Sequence, residues 1–336
     1  MALLRIPRAT LMPVLLLIFA VWAMSTSVIL IKLSELSAED LSFWRLLLAA
    51  LLLAPLALRA ASRHRGVFHA VTLRHCLIPG VLLGIHLITW VMGARMTPAA
   101  NATLMVNVSP LVMPLLLFAL ARERVTPREC LATGIALCGL VILAVADYRG
   151  GEDHWIGDLI CFGSMLLLAV YLALGRGNAL RFPDPWLYTV PVYAVGAVAC
   201  LLWLLAGGNL PAWPRGHEWW IVTGMTVLPT MLGHGLVLLV LRRLRGQLVA
   251  VVNMGQFFFA GTMAFLLFHE VPSKAFWGTS LFVLAGSALI VARGPRRDPS
   301  GDPPVQTGAD DRKSLTAAEP APTTPPDPPA CTKSRT

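Results

Sequence analysis

Ten stretches of 17 to 24 residues in this chain are almost wholly apolar, and no other feature restricts its fold so severely. They run Pro13–Leu33, Leu41–Leu58, Cys76–Met96, Pro98–Ala121, Cys130–Ala146, Ile156–Leu174, Trp186–Ala206, Trp219–Leu241, Gln247–Phe268 and Phe276–Ala292. A helix rises about 1.5 Å per residue, so each run matches a hydrocarbon core of about 30 Å. Within that core every backbone N–H and C=O must be bonded inside the protein, which admits only helices and closed barrels. Continuous apolar runs of this length select helices. Composition agrees: 56% of residues are hydrophobic and 13% charged, with a mean hydropathy of +0.69, whereas a soluble domain carries about 25% charged residues. The expected fold class is all-α integral membrane, with ten transmembrane helices.

The basic residues alternate sides. If the N-terminus is cytoplasmic, seventeen Arg between Arg5 and Arg297 fall on the cytoplasmic side, against five Lys and Arg outside: Lys32, Arg95, Arg149, Arg215 and Lys274. Cytoplasmic loops carry such an excess, so both termini are expected inside and the chain in a cell inner membrane. The first run follows Arg5 and Arg8 but exceeds the apolar region of a cleaved signal peptide, so it reads as a retained span. The net charge of +9 is scattered singly, without interleaved aromatic residues, which argues against a nucleic-acid partner. From Arg293 the chain turns to Pro, Asp, Thr and Ala, too polar to bury a core, and is expected to be a disordered cytoplasmic tail.

Two stretches repeat. LMVNVSPLVMPLLLFALARE in the first half resembles VAVVNMGQFFFAGTMAFLLFHE in the second, each running from an Asn (Asn107, Asn253) to a Glu (Glu123, Glu270), with a glycine (Gly139, Gly286) 16 residues on. Five spans per half is odd, so two related halves must cross the membrane in opposite senses. Expected domains are a cytoplasmic N-terminus (1–12), two inverted five-helix repeats (13–146 and 155–292) and the tail (293–336).

These residues resemble the EamA-type ten-helix permeases of the drug/metabolite transporter superfamily. The resemblance rests on NVSPLVMPLLLFALARERVTPRECLATGIALCGLVILA, on WAMSTSVILIKL in the first span, on Arg45 in FWRLLLAALLL and on GDLICFGSMLLLAVYLAL in the sixth. It covers about residues 12 to 293. The second half departs from it where Gln256 stands in place of Pro110. The resemblance implies a permease without a nucleotide-binding domain, and no GxxxxGK[ST] motif occurs.

Ionisable or strongly polar side chains inside a membrane are costly and usually face a cavity or one another. Thr223, Thr226, Thr230 and His234 fall at i, i+3, i+7 and i+11, one face of an α-helix. They line a cavity or glue helices together through hydrogen bonds. His86 and Trp90 share a face of the third span with Gly93 and Thr97, and Gly80 with Gly84 makes a ridge for close packing. An offset of 146 sets His86 two residues from the position of His234. Histidine suits proton coupling or carboxylate binding, and equally a bond to a backbone carbonyl. Asn107, Asn253 and Gln256 sit where Pro110, Pro114, Gly255 and Gly261 loosen the helices, either binding substrate or satisfying freed carbonyls. Arg45 is the gating candidate: it snorkels outward or pairs with Glu35, Glu39 or Asp40.

Six cysteines show neither C-x-x-C nor finger spacing, and His64, His69 and His75 are five and six apart, so neither metal nor other cofactor is expected. The expected function is a secondary transporter exporting a small metabolite, amino acid or drug-like solute, as monomer or homodimer, driven by proton exchange or running downhill. The rival is an intramembrane enzyme or sensor on the same bundle, which would need convergent carboxylates, and no Asp or Glu lies deep in a span.

Overall fold

The computed structural model describes residues 8–64, 70–97, 99–147, 155–179, 181–269 and 274–292. The described residues form helices and no strand. In order they are α1 (Arg8–Leu33), α2 (Ala38–Arg63), α3 (Ala70–Met96), α4 (Ala99–Asn107), α5 (Ser109–Ala121), α6 (Pro127–Asp147), α7 (Trp155–Ala179) and α8 (Trp186–Ala206). There follow α9 (Glu218–Met225), a π-helix (Thr226–Gly235), α10 (Leu236–Val240), α11 (Gly246–Asn253), α12 (Gln256–Phe268) and α13 (Lys274–Val291). Eight of the continuous helical stretches are long and apolar enough to cross a membrane, and Met105–Ala121 is a shorter apolar segment. The 21 residues of α6 measure about 31 Å and supply the tenth span. The proposed Pro-rich tail and Glu270 lie outside the described residues.

Helix starts follow local chemistry. Ser37 accepts the Asp40 N–H (3.0 Å) and donates to the Asp40 carboxylate (2.8 Å), fixing the first turn of α2. Thr126 and Glu129 exchange backbone and side-chain bonds around Pro127 at the first turn of α6, a capping box with proline where no N–H is needed.

The fourth and ninth spans are broken at equivalent places, α4 after Asn107 and α11 after Asn253. In the first break Pro110 removes the N–H that would continue the ladder back to Val106. One residue, Val108, separates α4 from α5, whereas Met254 and Gly255 separate α11 from α12. The repeat register therefore steps from 146 to 147 at the break, and Gln256, which the aligned sequences set against Pro110, stands structurally at the position of Ser109. Beyond the breaks α5 and α12 run 13 residues each and end on the same left-handed backbone, Arg122 (φ 53°) and His269 (φ 57°).

Packing follows the repeat. α3 packs along α7 as the eighth span packs along α1, while α2 meets α8 and α6 meets α13 across the pseudo-two-fold axis. Small residues set the approach distance. A Cβ on Gly84 would lie 2.7 Å from the Gly196 carbonyl oxygen, and one on Gly286 2.6 Å from that of Ala132. Polarity is arranged for lipid: Leu58 is 70% exposed and Val145 73%, whereas Arg45, Ser164, Thr230 and Gln247 are wholly buried.

Candidate functional site

The polar interior begins on α2. Capping by Ser37 starts that helix at Ala38, three residues before the apolar run, which sets Arg45 about 10 Å inside it. The guanidinium is fully buried, so it does not snorkel. Its Nε donates to Thr230 Oγ1 at 2.9 Å. The expected ion pair with the first outer loop is absent: Asp40 accepts the Ala212 N–H (2.8 Å), and the Glu35 N–H goes to Glu218 (2.6 Å).

Thr230 is held by the unusual winding of the eighth span. Pro229 lacks the N–H that an α-helix would send to Met225, and the Met225 carbonyl instead accepts Thr230 Oγ1 at 2.7 Å. The helix widens to i→i+5 bonding, as it commonly does at functional sites. Tyr193 donates to the Thr230 carbonyl (2.9 Å), and Thr226 bonds the carbonyls of Val222 (2.8 Å) and Arg45 (3.4 Å). The wider turn keeps Thr226, Thr230 and His234 buried together while Thr223 is exposed, so the stripe loses the member that α-helical spacing had assigned it.

His86 on α3 is clasped by α7. Its Nδ1 lies 2.9 Å from the Ser164 carbonyl and 2.8 Å from Ser164 Oγ, while that hydroxyl donates to the His86 carbonyl at 2.9 Å. With the serine proton committed, Nδ1 carries the imidazole proton. The His234 ring stands 6.2 Å from the His86 ring and 6.2 Å from the Tyr171 ring, and His234 Nδ1 and the Tyr171 hydroxyl are buried without partners. Trp90 Nε1 reaches Ser27 Oγ at 3.3 Å.

Arg45, His86, Trp90, His234 and Gln256 share one cavity with Met24, Ser27, Leu87, Val106, Leu168 and Pro229. Both halves contribute to its wall. A second cavity adjoins it across Met24, Trp90, Val106 and Gln256 and adds Ser25, Thr103 and Asn107. Their water-accessible spaces are ≈ 30 and ≈ 20 Å³, room for a water or two each and for no metabolite.

At the breaks, Asn107 has neither amide atom bonded, and Gln256 Nε2 is likewise unpartnered. The carbonyl of Pro110, freed because Pro114 has no N–H, is taken by Gln247 Nε2 at 3.1 Å, which also reaches Thr133 Oγ1 at 2.7 Å. Asn107 is thus not consumed in repairing the kink. Asn253 is buried with Oδ1 unpartnered but lies outside both cavity walls. Sequence reasoning missed Ser164, Tyr171, Tyr193 and Gln247. Only Gln247, a strongly polar residue at the start of an apolar run, gave a signal.

Both ends of the bundle are closed by polar ties. At one, Glu123 accepts Arg176 Nε (2.8 Å) and the Gly246 N–H that opens α11 (3.0 Å), and Arg245 bonds Glu129. At the other, Glu218 accepts Ser34 Oγ (2.8 Å), Arg95 donates to the Ser34 carbonyl (3.0 Å), and Trp44 donates to the Ala212 carbonyl (2.7 Å). Arg242, beyond the span end, has its pKa lowered, first by burial, while Asp184 opposes the shift. Among the described residues one group, Glu35, His217 and Glu218, is compact enough to hold a metal, but Glu218 is already engaged by Ser34 and the Glu35 N–H.

No curated protein matches this sequence significantly. A solved structure titled only "Crystal structure of protein" is similar at a TM-score of 0.66 and 19% identity, over 84% of this chain and 98% of its own, a likeness that extends to the fold. The model of the EamA-like transporter family matches residues 11–145 and again 155–292, one match for each half of the bundle. Two matches spanning most of the sequence, on ten spans with an internal repeat, establish that the chain belongs to the EamA-like transporter family.

Proposed function

We propose that this protein is a secondary transporter that exports a small metabolite, amino acid or drug-like solute across the cell inner membrane by alternating access, with both termini in the cytoplasm. The observation that carries the reading is the buried cavity bounded by both halves, into whose walls Arg45, His234, Asn107 and Gln256 bring polar atoms without partners. Buried groups left unsatisfied are costly, and a passing solute is the partner that would offset the cost. The broken fourth and ninth spans give each half a joint beside the cavity, and ties at both ends close it. Catalysis has less to work with. Asp40, Glu129, Asp158 and Glu218 sit in the first turn of a helix, and no described Asp or Glu lines either cavity.

Proton exchange would fall to His234, which faces His86 from α3, Tyr171 from α7 and the Arg45 guanidinium from α2. The test is flux of radiolabelled amino acids, sugars, nucleosides and lipophilic cations in liposomes holding purified protein, from about pH 5.5 to about pH 8. Wild type, His86→Gln, His234→Gln and the double variant are compared. Protein-dependent flux that saturates supports the transporter. Superimposable pH profiles in all four proteins would replace proton coupling with facilitated diffusion.

A further inference from the structure

We propose that the solute carries a carboxylate and that Arg45 is the residue that receives it. The inference deepens the transport reading and rests on it, and its test is arranged so that the two fail separately.

Arg45 is fully buried about 10 Å inside α2, on the wall of the cavity that His86 and His234 share. A guanidinium presents five N–H donors and cannot shed its charge as readily as other side chains. Of these donors Nε is used, by Thr230, and Nη1 has no partner. Among the described residues no carboxylate pairs with Arg45: its guanidinium bonds the Thr230 hydroxyl, and the polar side chains that share its cavity are Ser27, His86, Trp90, His234 and Gln256. An isolated buried charge is costly in any protein. A cation kept under those conditions, on the wall of a cavity, is a site that lacks its anion.

The geometry narrows the anion. With Nε tied to Thr230 and Thr230 tied to Met225 and Tyr193, the guanidinium plane is fixed and its outer edge remains for a planar, two-oxygen acceptor. One positive charge balances one carboxylate. A phosphate ester carries up to two charges, and the cavity wall holds no second Arg or Lys to match them. The adjoining cavity, with Asn107, Gln256, Ser25 and Thr103, offers neutral hydrogen-bonding groups beside the apolar Met24, Val28 and Ala260. The class of solute is therefore a small monocarboxylate whose remainder is apolar with one or two hydrogen-bonding groups.

The experiment uses matched pairs that differ only at the carboxyl group: phenylacetate with phenylacetamide, isobutyrate with isobutyramide, and leucine with leucinamide. Binding is read as thermal stabilisation of the full-length protein in detergent, and transport as flux in liposomes. At least one acid is expected to stabilise wild type on the order of tenfold more tightly than its amide, since a charge-assisted bond exceeds a neutral one by about that margin. Arg45→Gln should abolish the preference, and Arg45→Lys, which keeps the charge and loses the planar fork, should retain part of it. Acids and amides that bind or move equally well in wild type would overturn the carboxylate while leaving the transporter intact, as would failure of every acid to bind. The wild-type comparison stands even if Arg45→Gln does not fold. Acid-selective binding without flux of any compound would keep the anion site and overturn transport.

Discussion

Glu123 offers the sharpest perturbation of the closed bundle. Its carboxylate joins α5 to Arg176 on α7 and to the first N–H of α11, with Arg245 Nε a further 3.8 Å away. Glu123→Gln keeps the shape and one acceptor for Gly246 but removes the charge that both arginines see. The Arg176 and Glu123 side chains are 18% and 10% exposed, between a surface pair worth about 0–1 kcal/mol and a buried one whose rupture costs about 3–5 kcal/mol. A loss of about 2 kcal/mol is the expected magnitude. If the tie exists only while that face is closed, the closed-to-open ratio there falls about 30-fold. The reporter is Leu168→Cys in the cavity wall, 1% exposed, on a background with the native cysteines replaced by alanine. Labelling by a membrane-impermeant maleimide added on the side of the membrane that Glu123 faces should accelerate by up to about 30-fold. Arg176→Gln should do the same, and the double variant should add little to either, because both act through one pair. Labelling that stays at the wild-type rate in a folded Glu123→Gln protein would reduce Glu123 to a cap on α11.

Three further outcomes follow from the contacts. Gly84→Ala should lower the thermal midpoint in detergent by an amount equivalent to about 1–3 kcal/mol, because its Cβ meets backbone at 2.7 Å, whereas Gly163→Ala, with nothing within 4 Å, should raise it by up to about 1 kcal/mol. His86→Gln should cost more stability than His234→Gln, since His86 is bonded to Ser164 on two atoms and His234 Nδ1 to nothing, while His234→Gln should cost more transport; equal losses in both assays would contradict the assignment. Pro229→Ala supplies a backbone N–H that can reach the Met225 carbonyl and should slow flux, as the π-helix reverts toward α and Thr230 leaves Arg45; unchanged flux would show that the widened turn is incidental.

The fold was legible because its signals are local. Apolar runs set the spans, and the Asn107 and Asn253 motifs marked both the repeat and the places where the fourth and ninth spans break. The site was legible only in outline. His86, His234, Trp90 and Gln256 do meet in one cavity, but what each does depends on partners distant in the chain: Ser164 lies 78 residues from His86, and Thr230 lies 185 from Arg45. The apolar run starts at Leu41 and so sets Arg45 near the surface, whereas the cap at Ser37 begins the helix earlier and carries Arg45 deeper. Thr223 was misplaced because a proline three residues after Thr226 changes the winding, and an α-helical wheel cannot register a π-turn.

The two breaks differ by one residue, Val108 against the pair Met254 and Gly255, and the first is braced by prolines where the second has a glycine. For a carrier that turns inside out by exchanging the conformations of its halves, that exchange is not an identity operation. The joint in the second half is one residue longer than the joint in the first and has no proline in it. Half-saturation measured from the two sides of the membrane should therefore be unequal, with the ratio of maximal rates unequal in the same proportion, since a passive carrier cannot create a gradient at equilibrium. Such a protein holds its vacant site preferentially toward one compartment, and solute from that side finds it ready.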